Sequence, residues 1–185
     1  MKKYELTEET INVFGKTLHR IRATRDFSNV HAGDLGGFIE NELNLSHDRD
    51  TWVGGNASVS GDARVGGNAS VSGDAWVGGN ASVSGDAWVG GNALVSGNAR
   101  VGGNALVKGP RDIYWISCIG SRDGTTTFFR NANNGISVSC GCFYGTIDEF
   151  AAAVTKTHGD NEHAQAYRHA IEIAKLRIKL EDAES

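Results

Sequence analysis

Valine recurs every six residues from Val53 to Val107, ten times without a slip, and no other feature of the chain narrows its fold as much. Alanine stands four residues after each of the first nine valines, glycine two after each valine, and Asn or Asp three after each of those nine. In a strand, residues two apart share a face. Valine and alanine, four apart, therefore lie on either side of a turn, and the Gly-Asn and Gly-Asp pairs supply the turn chemistry. Six residues make one wall, with valine inside and alanine at the corner. Three walls close a coil of ~18 residues. Glycine in every repeat excludes an α-helix. A collagen helix fails because glycine does not fall at every third position and the chain holds a single proline. The predicted fold is mainly β: a left-handed parallel β-helix of hexapeptide repeats over residues 51–109.

The hexads alternate in type, so the sequence period is twelve residues while the coil period is ~18. Stacked neighbours therefore come from unlike hexads. Asp74 falls between Asn56 and Asn92, Asp86 between Asn68 and Asn104, and Asp62 beside Asn80. No two aspartates stack directly, which avoids like-charge contact and allows amide ladders. The same arithmetic sorts the residue before each valine. Ser58, Trp76 and Leu94 share one wall. Trp52, Ser70, Trp88 and Leu106 share the second, and Arg64, Ser82 and Arg100 the third. Valine burial alone does not offset the backbone entropy of ordering so many residues. Trp76, Trp88, Leu94 and Leu106 are therefore expected to pack on another subunit or on the flanking segments. A homotrimer suits a triangular prism.

Residues 1–50 read as an irregular cap. The run from Lys16 to Phe27 has a strand-like alternation of Leu18, Arg20 and Arg22 with His19, Ile21 and Ala23. Leu35-Gly36-Gly37-Phe38-Ile39-Glu40 reads as an imperfect hexad with Leu35 and Ile39 at its apolar positions. Such a cap would shield the open ladder edge. Residues 110–185 read as an α+β module of three strands and two helices. The strands are Ile113 to Ile119, Thr125 to Phe129 and Ile136 to Cys140. Turn residues Arg122-Asp123-Gly124 and Asn133-Asn134-Gly135 separate them. Thr146 and Glu149 form a capping box that opens a helix to about Thr157. Gly159 breaks it, and Asp160 caps a second helix to about Leu180. The module is expected to cover the far end of the prism.

A net charge of −4 argues against binding bulk nucleic acid. An odd number of cysteines, Cys118, Cys140 and Cys142, with no leader and no apolar stretch of membrane length, predicts a cytoplasmic protein with free thiols. Residues 53–109 contain neither histidine nor cysteine. No catalytic residue, metal or cofactor is assigned. Cys140-Gly141-Cys142 with His158 or His163 is a weak metal pattern, and Cys142 with a histidine a weak nucleophile pattern. Arg20, Arg22 and Arg25 near one end of the prism, and Arg111, Arg122 and Arg130 near the other, form basic clusters. With Tyr114, Trp115, Phe143 and Tyr144 they would hold a phosphate and stack a base.

VGGNAS-type hexads resemble those of the hexapeptide-repeat acyltransferases and of one class of carbonic anhydrase. That resemblance implies fold rather than activity. TLHRIRATRDF with GDLGGFIE, the VxGNA and VxGDA hexads, and ISVSCGCFYGTIDEF with HGDNEH together resemble phage and prophage hexapeptide-repeat proteins over nearly the whole chain. The likeness implies a phage setting, hence the cytoplasm of a bacterial host, and carries over no catalytic residue. Small oligomeric phage proteins that sequester host nucleotide immune signals offer a functional analogy. The expectation is a non-enzymatic oligomer that binds a small anionic, nucleotide-type ligand. The alternatives are an acyltransferase-like enzyme with His19 or His31 as base, and a structural or adhesive spacer.

Overall fold

A computed structural model describes residues 2–181. Its centre is a β-solenoid of about 4 turns, built from ten two-residue strands, β4 (Trp52–Val53) to β13 (Leu106–Val107), one every six residues. Each valine points into the tube, and every valine and alanine of the repeat is buried. Glycine at the third position of the hexads has positive φ from Gly55 to Gly103, and from Gly55 to Gly85 it also meets its counterpart one coil away. A Cβ on Gly85, at φ +72°, would lie 2.7 Å from the Gly103 amide nitrogen. Conformation and close approach therefore both demand glycine there.

The three walls hold the residues that the spacing assigns to them. Trp52 pairs in parallel with Ser70, Ser70 with Trp88, and Trp88 with Leu106. Ser58, Trp76 and Leu94 are paired on the second wall, and Arg64, Ser82 and Arg100 on the third. Amide ladders run along the corners. Asn56 Nδ2 donates to Asp74 at 3.2 Å, Asn68 to Asp86 at 2.8 Å and Asn80 to Asn98 at 3.0 Å.

One pairing rule was not read from the sequence. The residue two after each outward Trp or Arg is glycine, and the residue two after each outward Ser58, Ser70, Ser82 or Leu94 is serine. Residues two apart share a face, and Trp76 and Trp88 each lie over their own glycine. A side chain at Gly78 or Gly90 would collide with the ring of Trp76 or Trp88. The tryptophans are thus half-buried by folding back on their own strands. Leu94 alone of the five apolar wall residues is exposed, at 42%.

The N-terminal segment forms an antiparallel hairpin, β1 (Tyr4–Val13) and β2 (Lys16–Ala23), turned at Phe14 and Gly15 with positive φ. β2 matches the expected alternating run. β1 was not anticipated, because its Thr- and Glu-rich sequence carries little apolar period; it is an outer strand with a bulge between Leu6 and Thr10. β3 (Leu35–Ile39) joins β2 antiparallel and the first coil in parallel, making a six-stranded sheet. The imperfect hexad is out of phase with expectation. Ile39 pairs with Val59 and is buried, whereas Leu35 is 54% exposed. Ile39 and then Leu45, bridged to Val65, occupy the valine positions of the first coil. Asn44, buried, closes this end by donating to the carbonyls of Gly61 and Ala63, both at 2.9 Å. Lys3 is fully buried, and its ammonium donates to the carbonyls of Thr51 at 2.6 Å and of Asp48 and Arg49 at 3.3 Å.

The C-terminal module has four strands rather than three: β14 (Ile113–Ile119), β15 (Gly124–Arg130), β16 (Ile136–Cys140) and β17 (Phe143–Thr146). The fourth was missed because Gly141 and Cys142 make a tight turn that pairs Cys140 with Phe143. Helix α1 (Ile147–His158) opens with the expected Thr146–Glu149 capping box. Helix α2 (Glu162–Arg177) is capped by Asn161 rather than Asp160 and ends before Leu180. Asn161 takes that role because its side-chain oxygen accepts from the Ala164 amide. Alternation along β15 joins the two halves of the molecule. Phe128 faces the helices and packs on Phe150, while Phe129 enters the solenoid core with Ile113. Thr127 Oγ1 accepts from the Arg100 amide at 3.0 Å, and Ala132 N donates to Asn104 O at 2.9 Å, so the module closes the last coil. No helix among the described residues is long and apolar enough to cross a membrane.

Candidate functional site

The ten residues expected to bind a ligand do not converge on one place. Arg20 lies over the Phe38 ring at 4.8 Å and 3.6 Å from Glu9. Arg22 donates through Nε to Glu5 at 2.9 Å. Arg25 and Arg111 are exposed. Arg130 is buried at 7%, 2.7 Å from Glu181 and 3.9 Å from Asp112, and so is committed to structure. Tyr144 donates to Gly102 O at 3.2 Å and rests on the Arg100 wall. Tyr114 and Trp115 line a shallow recess of about 440 Å³ beside Leu94.

Arg122 and Phe143 come together in a recess of about 360 Å³ between the four-stranded sheet and the helices. Cys140, Cys142, His158 and Tyr167 also line it, with the hydroxyls of Ser121, Thr125 and Thr157, and Phe150 is among its apolar residues. β16 and β17 bring the two thiols and Phe143, the turn before β15 brings Arg122, and α1 ends there with His158. All three cysteines are free thiols, and that of Cys140 is hydrogen-bonded. Thr126 Oγ1 donates to its sulfur at 3.1 Å, and the Tyr167 oxygen stands 3.6 Å away. Burial, with Cys140 beside it, pushes the Tyr167 phenol up to about 12, so it stays protonated at neutral pH. Gly120 makes room for that hydroxyl, since any side chain there would collide with it. The His158 ring stands 5.9 Å from Tyr167 and 5.8 Å from His163.

Chemically, the recess offers one guanidinium, a neutral phenol, an imidazole and aromatic walls, with no carboxylate lining it among the described residues. An anion with a flat apolar body is the ligand class this suits. Among the described residues, no three His, Cys, Asp or Glu side chains are grouped as a metal site would require. His19 Nδ1 donates to Thr7 O at 3.2 Å, and exposed His31 stands 3.7 Å from Asp34. Tyr167 and Thr126 escaped sequence reasoning because they lie far along the chain from Cys140, and no spacing signals their meeting. No protein-family model matches the chain, and no curated protein is similar to it in sequence.

Proposed function

We propose that this protein is a phage-type, non-enzymatic binding protein, built on a left-handed coil of hexapeptide walls, that captures a small anionic ligand of nucleotide type in the cytoplasm of a bacterial host. The observation that carries the reading is the recess of about 360 Å³ in the C-terminal module, where Arg122 stands beside Phe143 and, among the described residues, no lining carboxylate opposes an anion. In this reading the guanidinium takes the phosphate, the aromatic walls take the base, and Tyr167, held protonated, donates a hydrogen bond. Self-association uses the wall of Trp76 and Leu94. There Phe14, 82% exposed, packs edge-on to Trp76 at 5.3 Å, and Leu94 is the strand partner of Trp76 one coil on. A trimer places three such walls around one axis.

Thermal-shift and calorimetric titration with cyclic and linear mono- and dinucleotides test the binding half of the proposal. A ligand that raises the melting temperature, and loses at least tenfold in affinity in Arg122→Ala, supports it. Absence of binding to every nucleotide tested overturns it.

A further inference from the structure

A recess of about 700 Å³ lies on another wall, on the outside of the solenoid rather than in the C-terminal module. Its two aromatic rings are Trp52 and Trp88, both ladder-paired to Ser70 and so two strand steps apart on the same wall. At ~4.8 Å per step they stand about 10 Å apart, with the small Ser70 between them. Both rings are held. Trp52 meets Phe27 edge-on at 5.4 Å and closes over Gly36, while Trp88 lies flat against Gly90. Between and beside them the lining is polar. Asp34 and Asp50 stand on the loop side, Asn68 and Ser72 on the coil, and no lysine or arginine lines the recess.

Two fixed aromatic platforms with acceptors and amides around them, and no cation, disfavour an anion. They suit a neutral ligand with an apolar face on each unit and hydroxyls at its rim. Sugar rings have this character: their C–H faces are weakly positive and lie on the negative face of an indole. Their hydroxyls donate to carboxylates and exchange hydrogen bonds with serine and asparagine. We infer that the Trp52–Trp88 wall is a binding groove for a neutral oligosaccharide, with one ring of the chain on each tryptophan and Asp34, Asp50 and Asn68 bonded to its hydroxyls. The inference goes beyond the anion site and shares no residue with it.

Fluorescence and calorimetric titration of the intact protein with cellohexaose, maltohexaose, chitohexaose and mannohexaose tests it. Trp88→Ser is the chief variant. It installs the residue that the preceding coil already carries at position 70, so the solenoid is preserved. Saturable binding of at least one hexasaccharide is expected, weakened tenfold or more by Trp88→Ser and by Asp50→Asn. Trp76→Ser, on a different wall, and Arg122→Ala should change it less than twofold. Saturable binding of none of the four, or binding indifferent to Trp88→Ser, overturns the inference. Because Arg122→Ala reports on the other recess, failure of one site leaves the result at the other readable.

Discussion

Single side chains fix how the repeat can vary. Where a wall tryptophan folds back on its own strand, the residue two further on can carry no side chain, which ties Trp76 to Gly78 and Trp88 to Gly90. Glu40 shows the same economy at the edge of the first coil. Its carboxylate receives the Lys16 ammonium at 2.8 Å and the Gly61 amide at 2.6 Å. These hydrogen bonds, Lys16's first, hold its pKa below the ordinary 4.5. The folded state therefore binds this proton less readily than the unfolded chain. The stability it contributes is complete above pH 4.5 and is lost as pH falls through the lowered value. Urea midpoints measured from pH 6 downward should fall less steeply in Glu40→Gln than in the native chain. Identical slopes would remove Glu40 from the acid response.

At the scale of elements, the solenoid was legible because one strict period fixes both the buried residues and the wall of each outward residue. The caps were less so. Leu35 and Ile39 both suit an apolar position, and only pairing of Ile39 with Val59 chooses between them. β1 hides because an outer strand need bury only a few residues, here Tyr4 most completely. The binding recess was legible only in part. Arg122 and Phe143 were named from type alone, while Tyr167 reaches Cys140 through a packing of helix on sheet that no local pattern encodes. β1 is itself anchored to the first coil by Lys3, whose ammonium serves three carbonyls of residues 48–51. Lys3→Met keeps the apolar stem and removes the donors. It should lower unfolding free energy by about 1.5–3 kcal/mol, the range for hydrogen bonds involving a charged group. Hydrogen exchange of the Trp52 amide, next to the released loop, should accelerate with it. A change under about 0.5 kcal/mol in urea unfolding, within the range of ordinary surface substitutions, would mean that the loop is held by other contacts.

The whole molecule is one stack: hairpin, coils, sheet, helices. Both ends of the tube are closed by chain that enters the same valine-lined core, Tyr4 and Ile21 at one end and Phe129 and Ile113 at the other. What remains open is the side. Leu94, with Phe14 and Trp76, marks the apolar row proposed to meet other subunits. Leu94→Glu adds a charge at an exposed position and touches no core residue, so it should leave the melting temperature of the isolated subunit unchanged. It should convert the oligomer to monomer by light scattering or native mass spectrometry. An unaltered mass would move the contact to another wall.

The mismatch between a twelve-residue sequence unit and a coil three hexads long gives the repeat number a geometric meaning. Copying one unit into the chain turns everything downstream by two walls, so the sheet-and-helix cap would swing round to face a different side of the hairpin. Adding a single full coil restores the direction but exchanges the two hexad types, setting glycines where serines had been. Only insertion of two complete coils preserves both. The tube thus works as a dial, and counting hexads sets the bearing of one recess against the other.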